Sequence, residues 1–172
     1  GSWGKGFMRG GYLSSASCLV PSMIVNTIET ACTWAAFPGL HAAVLKAARD
    51  TIRSECGVEG QVTCRITHVY PDGLAPYYTI VVKGLPESDP PEGVEDPRIT
   101  KWLAIKRAVM DAIIKGGGTS THHHAVGRLH QEHYAAESGA LWGASLAASK
   151  SVHDPTGIMN PGLLVGKPPA KL

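Results

Sequence analysis

Two β-rich runs joined by a short linker constrain the fold of this chain more than any other feature. Gln61–Tyr70 reads QVTCRITHVY and Pro76–Leu85 reads PYYTIVVKGL, and both are rich in residues that favour strands. The linker PDGLA contains Asp72-Gly73, which predicts a turn with a left-handed φ and therefore an antiparallel hairpin. Alternation in the first strand predicts one face of Val62, Cys64, Ile66 and His68 and another of Thr63, Arg65, Thr67 and Val69.

The segments around this hairpin carry the patterns of one further strand and three helices. Ser22–Trp34 is β-branched and alternates as a strand does, and Pro38–Gly57 repeats apolar residues every four positions, with Gly57 as a C-cap. A second helix ends near Lys115, and an Ala-rich helix covers about Leu129–Val152. The apolar residues expected to face the core are Leu40, Val44, Ala48 and Ile52 in the first helix and Trp102, Ile105, Val109 and Ile113 in the second.

The order of these elements predicts the fold class. Pro86–Pro97 is rich in proline and acidic residues and is expected to be a loop. The resulting order is strand, helix, strand, strand, helix, loop, helix. Such an order predicts an α+β fold, in which an antiparallel sheet has helices packed on one face. A length of 172 residues suits one domain, or one domain and a half.

Charge and cysteine content argue against several functions. The formal net charge is only +2, with 16 basic and 14 acidic side chains, so we expect no nucleic-acid partner. No apolar run reaches the roughly 18–20 residues that a membrane-spanning helix needs. Gly1–Ser2 has the form of a cloning remnant and is set aside. The four cysteines, Cys18, Cys32, Cys56 and Cys64, are scattered along the chain and do not have the spacing of a zinc ribbon. We expect them to be buried free thiols.

The segment Gly116–His130, GGGTSTHHHAVGRLH, contains three consecutive histidines in a glycine-rich stretch. The residues alone leave three interpretations open: a flexible surface loop, a polar wall that faces a bound ligand, or a metal site. Because no acidic residue accompanies the trio within this segment, we predict no metal ligand. Strand-like alternation would place His122 and His124 on one side and His123 on the other. The metal site would use His122, His124, His130 and His133.

Three further side chains and one segment stand out. Arg65 lies in mid-strand and needs either solvent or an anionic partner, and Arg9 in GKGFMRGGY is a solvated arm or an anion contact. Tyr77 is expected at the edge of the core with its hydroxyl at the rim. Asp154–Leu164, DPTGIMNPGLL, ends the last helix in a tight corner and indicates a rigid exit from it.

Taken together, these segments resemble the C-terminal part of FAD-linked oxidases of the vanillyl-alcohol-oxidase type. TSTHHHAVGRLH followed by DPTGIMNPGLL is similar to the family's SHHHGVGK-like stretch and closing DPxxI-N segment. VTCRITHVYPDG is similar to STCRVTQ-YD-G, and IETACTWAAFPGLHAAV to an ETxxxWD helix start. The likeness spans nearly the whole chain, and within the family it is strongest to the alkyldihydroxyacetonephosphate synthases, flavoenzymes of ether-lipid synthesis.

The resemblance implies a domain arrangement. A ferredoxin-like cap with an antiparallel sheet covers the isoalloxazine ring of FAD and binds substrate, while another domain holds the FAD pyrophosphate. We expect residues 3–153 to form the cap and residues 154–172 to form a closing segment and tail. Because no glycine-rich pyrophosphate loop is recognised in the sequence, we expect this chain by itself to lack FAD and activity.

The same resemblance assigns roles to individual residues. In these synthases the catalytic groups assist removal of a proton from the substrate carbon, in a flavin reaction without net redox change. The corresponding residues are His123 and Tyr77, which are expected to be catalytic, and His122, His123 and His124, which are expected to bind the cofactor. We also expect Asn160 to bind the cofactor, and Arg65 and Arg9, as candidate anion contacts, to bind the substrate.

One departure from the family pattern leaves the reaction open. The active-site arginine of a PYLRD segment corresponds to Ser14 in GYLSS, so a phosphate-bearing substrate loses a bidentate partner. The first hypothesis is acyl-to-alkoxy exchange on dihydroxyacetone phosphate. The second is a flavin-dependent dehydrogenase or oxidase of a 2-hydroxy acid or related alcohol. The third is a non-catalytic module with a histidine-rich metal loop.

The resemblance also bears on partners and location. It implies a small-molecule or lipid substrate, and it is compatible with peripheral association of the complete enzyme with a membrane and with a homodimer. The implied location is cytoplasmic for a bacterial protein and peroxisomal for the eukaryotic relatives.

Overall fold

The computed structural model describes residues 23–83 and 92–165 of the chain. The order of elements predicted from the sequence is confirmed, except that the first β run divides into two strands. Arg9, Ser14 and Cys18 lie outside the described residues. The elements are β1 (Ile24–Glu29), β2 (Cys32–Thr33), α1 (Phe37–Cys56), β3 (Gln61–Val69), β4 (Gly73–Val82), α2 (Pro97–Lys115) and α3 (Gln131–His153).

The four strands form one antiparallel sheet in which β4 pairs with each of the other three. In the register of β2 against β4, Cys32 lies opposite Leu74 and Thr33 lies opposite Gly73. Between β1 and β2, the amide of Thr30 donates to the carbonyl of Pro76 at 3.3 Å. The predicted α+β class is therefore confirmed.

The hairpin turn differs from the prediction. Tyr70 and Gly73 exchange backbone hydrogen bonds of 2.8 and 3.4 Å, so the turn consists of Pro71 and Asp72 and β4 begins three residues before Pro76. The predicted left-handed φ at Gly73 is wrong, since Gly73 is an extended strand residue without a positive φ. Glycine is needed there for a different reason: a Cβ at this position would clash with the carbonyl oxygen of Cys32.

The alternation predicted for β3 holds only in its first half. Val62 and Cys64 are half-buried, but Arg65 and Ile66 are both exposed and the half-buried position after them is Thr67. The hydroxyl of Thr67 contacts the carboxylate of Glu29 and the carbonyl of Ala75. These polar partners account for the burial of Thr67 and interrupt the alternation of burial after Arg65, whereas the assignment of residues to the two faces stays a prediction.

The two apolar stripes predicted from the sequence are confirmed. Trp102 is half-buried at its end of the second stripe, and its indole nitrogen donates to the carbonyl of Val25 at 3.0 Å. Gly57 has φ +67° and its amide bonds the carbonyl of Arg53 at 3.1 Å, so the predicted C-cap of α1 is confirmed as well. The buried stripe residues are Leu40, Val44, Ala48 and Ile52 in α1 and Ile105, Val109 and Ile113 in α2.

The chain divides into two compact units. In the described part, the first consists of the chain up to Ile28, Val44–Arg65 and the stretch from Tyr77 to Val109, and the second consists of Glu29–Ala43, Ile66–Pro76 and the chain from Met110. Buried side chains of the first unit include Ile24, Ile28, Val44, Ile52, Tyr78, Ile80 and Ile105. Those of the second include Cys32, Leu40, Leu74, Met110 and Ile113.

The last helix differs from the other two. It occupies almost the predicted range, but Gly139 has φ 77° and interrupts its helical geometry, and no residue of α3 is buried. Within the ranges 23–83 and 92–165, no helix combines the length and apolarity needed to cross a bilayer. Cys32 and Cys56 are buried free thiols whose pKa values are raised by burial, as expected for structural cysteines, and Cys64 is half-buried.

Candidate functional site

The loop that carries the three histidines is anchored to the residues that follow β1. The hydroxyl of Thr30 donates to the carbonyl of Thr119 at 2.6 Å, and the amide of Thr119 donates to the carbonyl of Ala31 at 3.0 Å. The amide of Ala31 donates back to the hydroxyl of Thr119 at 3.1 Å. Gly118 allows this close approach, because a Cβ there would lie 2.8 Å from the Thr30 hydroxyl and 2.7 Å from Cδ1 of Leu40. The loop therefore leaves α2 at a fixed place beside β1.

The three histidines form a tight turn. His123 has φ 42° and Ala125 has φ 61°, both in the left-handed region, and the amide of His124 bonds the carbonyl of His122 at 2.7 Å. Neighbouring rings are close, with centroids 5.2 Å apart for His122 and His123 and 4.8 Å apart for His123 and His124. The predicted alternation of the trio is wrong, because the positive φ values turn all three rings toward one carboxylate.

That carboxylate belongs to Glu29, the last residue of β1, whose side chain is completely buried. Its Oε1 lies 3.1 Å from Nδ1 of His122. Its Oε2 lies 2.8 Å from Nε2 of His123 and 3.4 Å from Nε2 of His124. The hydroxyl of Thr67 also donates to Oε1. One acidic group thus faces all three imidazoles of the loop.

The pKa of Glu29 is held below its ordinary value by these neighbours. Burial by itself raises the pKa, because it disfavours the charged form. Hydrogen bonds from Thr67 and His122 and positive charge on His123 and His124 outweigh that effect. Glu29 is therefore a buried carboxylate anion, which needs positive charge or hydrogen-bond donors around it.

The end of β3 and the hairpin turn add two further rings to this group. Nδ1 of His68 lies 3.7 Å from Oε1 of Glu29, and the ring centroids of His68 and His122 are 4.9 Å apart. The hydroxyl of Tyr70 lies 2.9 Å from Nε2 of His122. The carbonyl of Tyr70 in turn accepts a hydrogen bond from the indole of Trp34 at 3.2 Å. We call Glu29, His68, Tyr70 and the histidine trio the Glu29 cluster.

The cluster is buried on one side and open on the other. Glu29 has no solvent exposure, whereas the side chain of His123 is 53 % exposed. His122 is 19 % exposed and His124 is 28 % exposed. An approaching ligand would therefore meet imidazole rings, with the carboxylate behind them.

The other residues predicted from the sequence lie in different settings. In the first unit, the guanidinium of Arg65 lies over the ring of Tyr77, 4.5 Å from its centroid. Asn160 is exposed in the closing segment with φ 45°, and its carbonyl accepts a bond from the amide of Leu163 at 3.2 Å. Arg9 lies outside the described residues. The site roles assigned to these residues and to the trio remain predictions.

Two histidines of the metal set considered from the sequence have contacts of their own. Nδ1 of His130 lies 3.0 Å from the carbonyl of Ala125, and Nε2 of His133 lies 2.9 Å from Oδ1 of Asp111. The cluster instead contains three residues that sequence analysis did not single out, Glu29, His68 and Tyr70. Glu29 could have been noticed as an acidic residue at the end of a β-branched run, and Tyr70 as a tyrosine directly before the hairpin turn.

The closing segment is organised by one carboxylate. The side chain of Asp154 is nearly buried and accepts hydrogen bonds of 3.0 Å from the amides of both Ile158 and Met159. Nζ of Lys150 contacts Oδ2 of Asp154 at 2.6 Å and the carbonyl of Met159 at 2.6 Å. These bonds hold the pKa of Asp154 below its ordinary value, with the Lys150 bond as the main cause. The end of the last helix and the turn after it are therefore tied to one side chain, and the rigidity of this exit stays a prediction.

Comparison with known proteins points to one family. The family described as FAD linked oxidases, C-terminal domain, matches residues 7–164. Alkyldihydroxyacetonephosphate synthase of Trypanosoma brucei brucei is 27 % identical over 70 % of this chain and 18 % of its own length. The synthase of Caenorhabditis elegans is 33 % identical over 63 % of this chain and 17 % of its own length. A solved structure of alkyldihydroxyacetonephosphate synthase has the same fold, with a TM-score of 0.58 and 18 % identity over 93 % of this chain and 23 % of that one.

Proposed function

Because the chain belongs to the family of FAD-linked oxidase C-terminal domains, we propose that it is the substrate-side part of an enzyme of the alkyldihydroxyacetonephosphate synthase type. The reaction is replacement of the acyloxy group of an acylated dihydroxyacetone phosphate by the alkoxy group of a fatty alcohol, with release of the fatty acid. Sequence similarity to synthases of two organisms supports this choice. Since the chain spans only 17–18 % of the length of these relatives, the activity is proposed for the complete protein.

The observation that carries the proposal is the open side of the Glu29 cluster. His123 presents a half-exposed imidazole whose Nε2 is 2.8 Å from a fully buried carboxylate. An imidazole accepts and releases protons near neutral pH, and a carboxylate behind it stabilises the positive charge that it gains. The same residue corresponds to the family position expected to assist proton removal. Geometry and resemblance therefore both support a proton-accepting role for His123.

The exposed rings also suit the cofactor that the family implies. The ring system of a flavin carries carbonyl oxygens and ring nitrogens, and imidazole offers both a donor and an acceptor to such groups. When bound, FAD would supply the electrophilic ring of the reaction. His122, His123 and His124 would orient that ring and the substrate beside it. Tyr70 would hold His122 in place through the 2.9 Å contact of its hydroxyl.

A second candidate function rests on Ser14. With serine where the family pattern has arginine, the complete protein lacks one partner for a substrate phosphate. That feature favours a flavin-dependent dehydrogenase or oxidase that acts on a 2-hydroxy acid or related alcohol without a phosphate. In such an enzyme His123 would again accept the proton released from the substrate.

The experiment uses the complete gene product with bound flavin. Incubation with an acylated dihydroxyacetone phosphate and a fatty alcohol should yield the alkyl ether, detected by mass spectrometry. Replacement of His123 by Ala should lower the rate by about 10²–10⁴-fold, the usual contribution of a general acid or base. His153→Ala, an exposed histidine at the end of α3, serves as the matched control and should leave the rate unchanged.

Two results would decide against the synthase. Absence of ether product from flavin-loaded protein would reject it, and anaerobic bleaching of the flavin by a 2-hydroxy acid would support the dehydrogenase. Absence of flavin from the complete protein would reject both reactions.

A further inference from the structure

Four side chains of the Glu29 cluster have the composition and spacing of a metal site. Glu29, His68, His122 and His123 each offer one ligand atom, and these atoms all lie within 4.8 Å of one another. We propose that these four residues bind a divalent transition-metal ion, with zinc as the first choice. Three imidazole nitrogens and one carboxylate oxygen are a donor set that suits zinc, and imidazole disfavours magnesium and calcium.

The distances between the ligand atoms fit a single small ion. A tetrahedral zinc with bonds of about 2.0–2.1 Å places its ligands about 3.3 Å apart. Oε1 of Glu29 lies 3.1 Å from Nδ1 of His122 and 3.7 Å from Nδ1 of His68, and Oε2 lies 2.8 Å from Nε2 of His123. These three separations lie on both sides of the tetrahedral value. The other pairs of ligand atoms lie within 4.8 Å of one another, so side-chain adjustments of about 1–2 Å would bring the four atoms to one centre.

The buried carboxylate gives an independent reason to expect a cation. Within the described residues, Oε2 of Glu29 accepts no hydrogen bond, although Nε2 of His123 is only 2.8 Å away. The imidazole of His123 is thus close to Oε2 without satisfying it by a hydrogen bond. A buried anionic oxygen without a donor is costly, and a coordinated ion would satisfy it.

The residues around the four ligands resemble the supporting groups of metal sites. Metal-bound histidines usually donate their second ring nitrogen to another polar group, which fixes the ring orientation. Nε2 of His122 lies 2.9 Å from the hydroxyl of Tyr70, while its Nδ1 faces Glu29. The hydroxyl of Thr67 contacts Oε1 of Glu29. One imidazole and the carboxylate are thus oriented by neighbours.

This inference departs from the expectation that the histidine loop holds no metal. That expectation rested on the absence of an acidic residue between Gly116 and His130, and the acidic ligand comes from β1, 93 positions before His122. The inference goes beyond the proposed function, which involves no metal ion. Zinc and a proton would compete for Nε2 of His123. The metal-bound form could not use that nitrogen as a base.

The test needs neither flavin nor substrate, so its failure is separate from failure of the proposed function. The purified chain, freed of metal with a chelator, is titrated with zinc chloride in a calorimeter. Metal content after dialysis is measured by mass spectrometry. We expect one zinc per chain, visible absorption bands of tetrahedral cobalt when Co²⁺ replaces zinc, and no binding of Mg²⁺.

Variants decide whether the four named residues form the site. Glu29→Gln and His68→Ala should each weaken zinc binding by at least about 10-fold, since even supporting residues of metal sites have effects of about 10–100-fold. His153→Ala should bind as the unchanged chain does. Circular dichroism checks that each variant folds. If Glu29→Gln does not fold, the His68→Ala variant provides the test, because the side chain of His68 is 47 % exposed and its removal disturbs the core less. Absence of zinc binding, or unchanged binding in a folded His68→Ala variant, would overturn the proposal.

Discussion

At the scale of single residues, the position of the histidine loop depends on a small number of threonine hydroxyls. Thr30 is fully buried and donates to the carbonyl of Thr119 at 2.6 Å. Thr119 bonds the amide of Ala31 and the carbonyl of Thr121 with its own hydroxyl, at 3.1 Å each. These contacts join β1, which supplies Glu29, to the loop that supplies the imidazoles. The geometry of the Glu29 cluster therefore rests on them.

Replacing Thr30 by Val should loosen this junction. Valine keeps the branched shape but leaves the carbonyl of Thr119 without its donor, at a cost of about 1 kcal/mol in the free energy of unfolding. Urea unfolding measures the loss, and faster hydrogen exchange at residues 119–124 would localise it. Thr27→Val, at an exposed position of β1, is the control and should change stability by less than about 0.5 kcal/mol. Equal effects of the two substitutions would contradict the anchoring role.

At the scale of elements, glycine positions determine where helices end and how closely segments approach. Gly57 ends α1 with φ +67° and bonds back to Arg53 at 3.1 Å, which lets the chain turn toward β3. Gly73 and Gly118 have no such φ, and they are needed because a Cβ would collide with neighbouring atoms. The same residue type thus serves two different physical purposes in this fold.

Substitution of Gly57 by Ala tests the first of these purposes. An L-residue in the left-handed region costs about 1–2 kcal/mol, and no atom lies within 4 Å of the added Cβ to offset or add to this cost. We therefore expect a loss of that size in urea unfolding. Gly39→Ala, in the first turn of α1 and equally free of neighbours, should instead stabilise the chain by about 0.4–1 kcal/mol. Stabilisation by Gly57→Ala would show that the cap conformation is not held in solution.

At the scale of the whole molecule, stability should depend on acidic groups whose pKa values are lowered in the folded state. Asp154 is the most enclosed of those outside the Glu29 cluster, since its side chain is only 5 % exposed. Lys150 contacts it directly, and the amides of Ile158 and Met159 donate to it. Lowered pKa values at Asp50, beside Lys46, and at Asp96, beside Arg98, contribute in the same sense but at exposed or half-exposed positions.

The replacement Asp154→Asn should therefore reduce stability in a pH-dependent way. Because the folded-state pKa is below the unfolded value of about 4, the carboxylate stabilises the fold above about pH 4, and this contribution is lost as the pH falls through the folded-state pKa. We expect the variant to melt at a lower temperature than the unchanged chain at pH 7. The difference should shrink toward acid pH, as thermal melts followed by circular dichroism would measure. A difference that stays constant from pH 7 to about pH 2.5 would argue against the charge as its cause.

The helices, the hairpin and the family could be predicted from the sequence alone. Apolar residues at a spacing of four, such as Leu40, Val44 and Ala48, can share a core only on a helix, so local pattern was sufficient for α1 and α2. Motif similarity likewise identified the histidine trio as the most distinctive segment. The helices and the hairpin follow from local patterns of residues, and the family follows from motifs that can be read along the chain.

The contact between the histidines and Glu29 became visible in the tertiary structure alone. Glu29 and His68 are remote from the trio in sequence, and no periodicity places the end of β1 beside a loop that follows α2. The positive φ of His123 and Ala125 reversed the expected alternation, because the anchored loop, and not strand geometry, sets the direction of each ring. Long-range contacts of this kind are made by packing and by hydrogen bonds between segments, which a linear pattern does not contain.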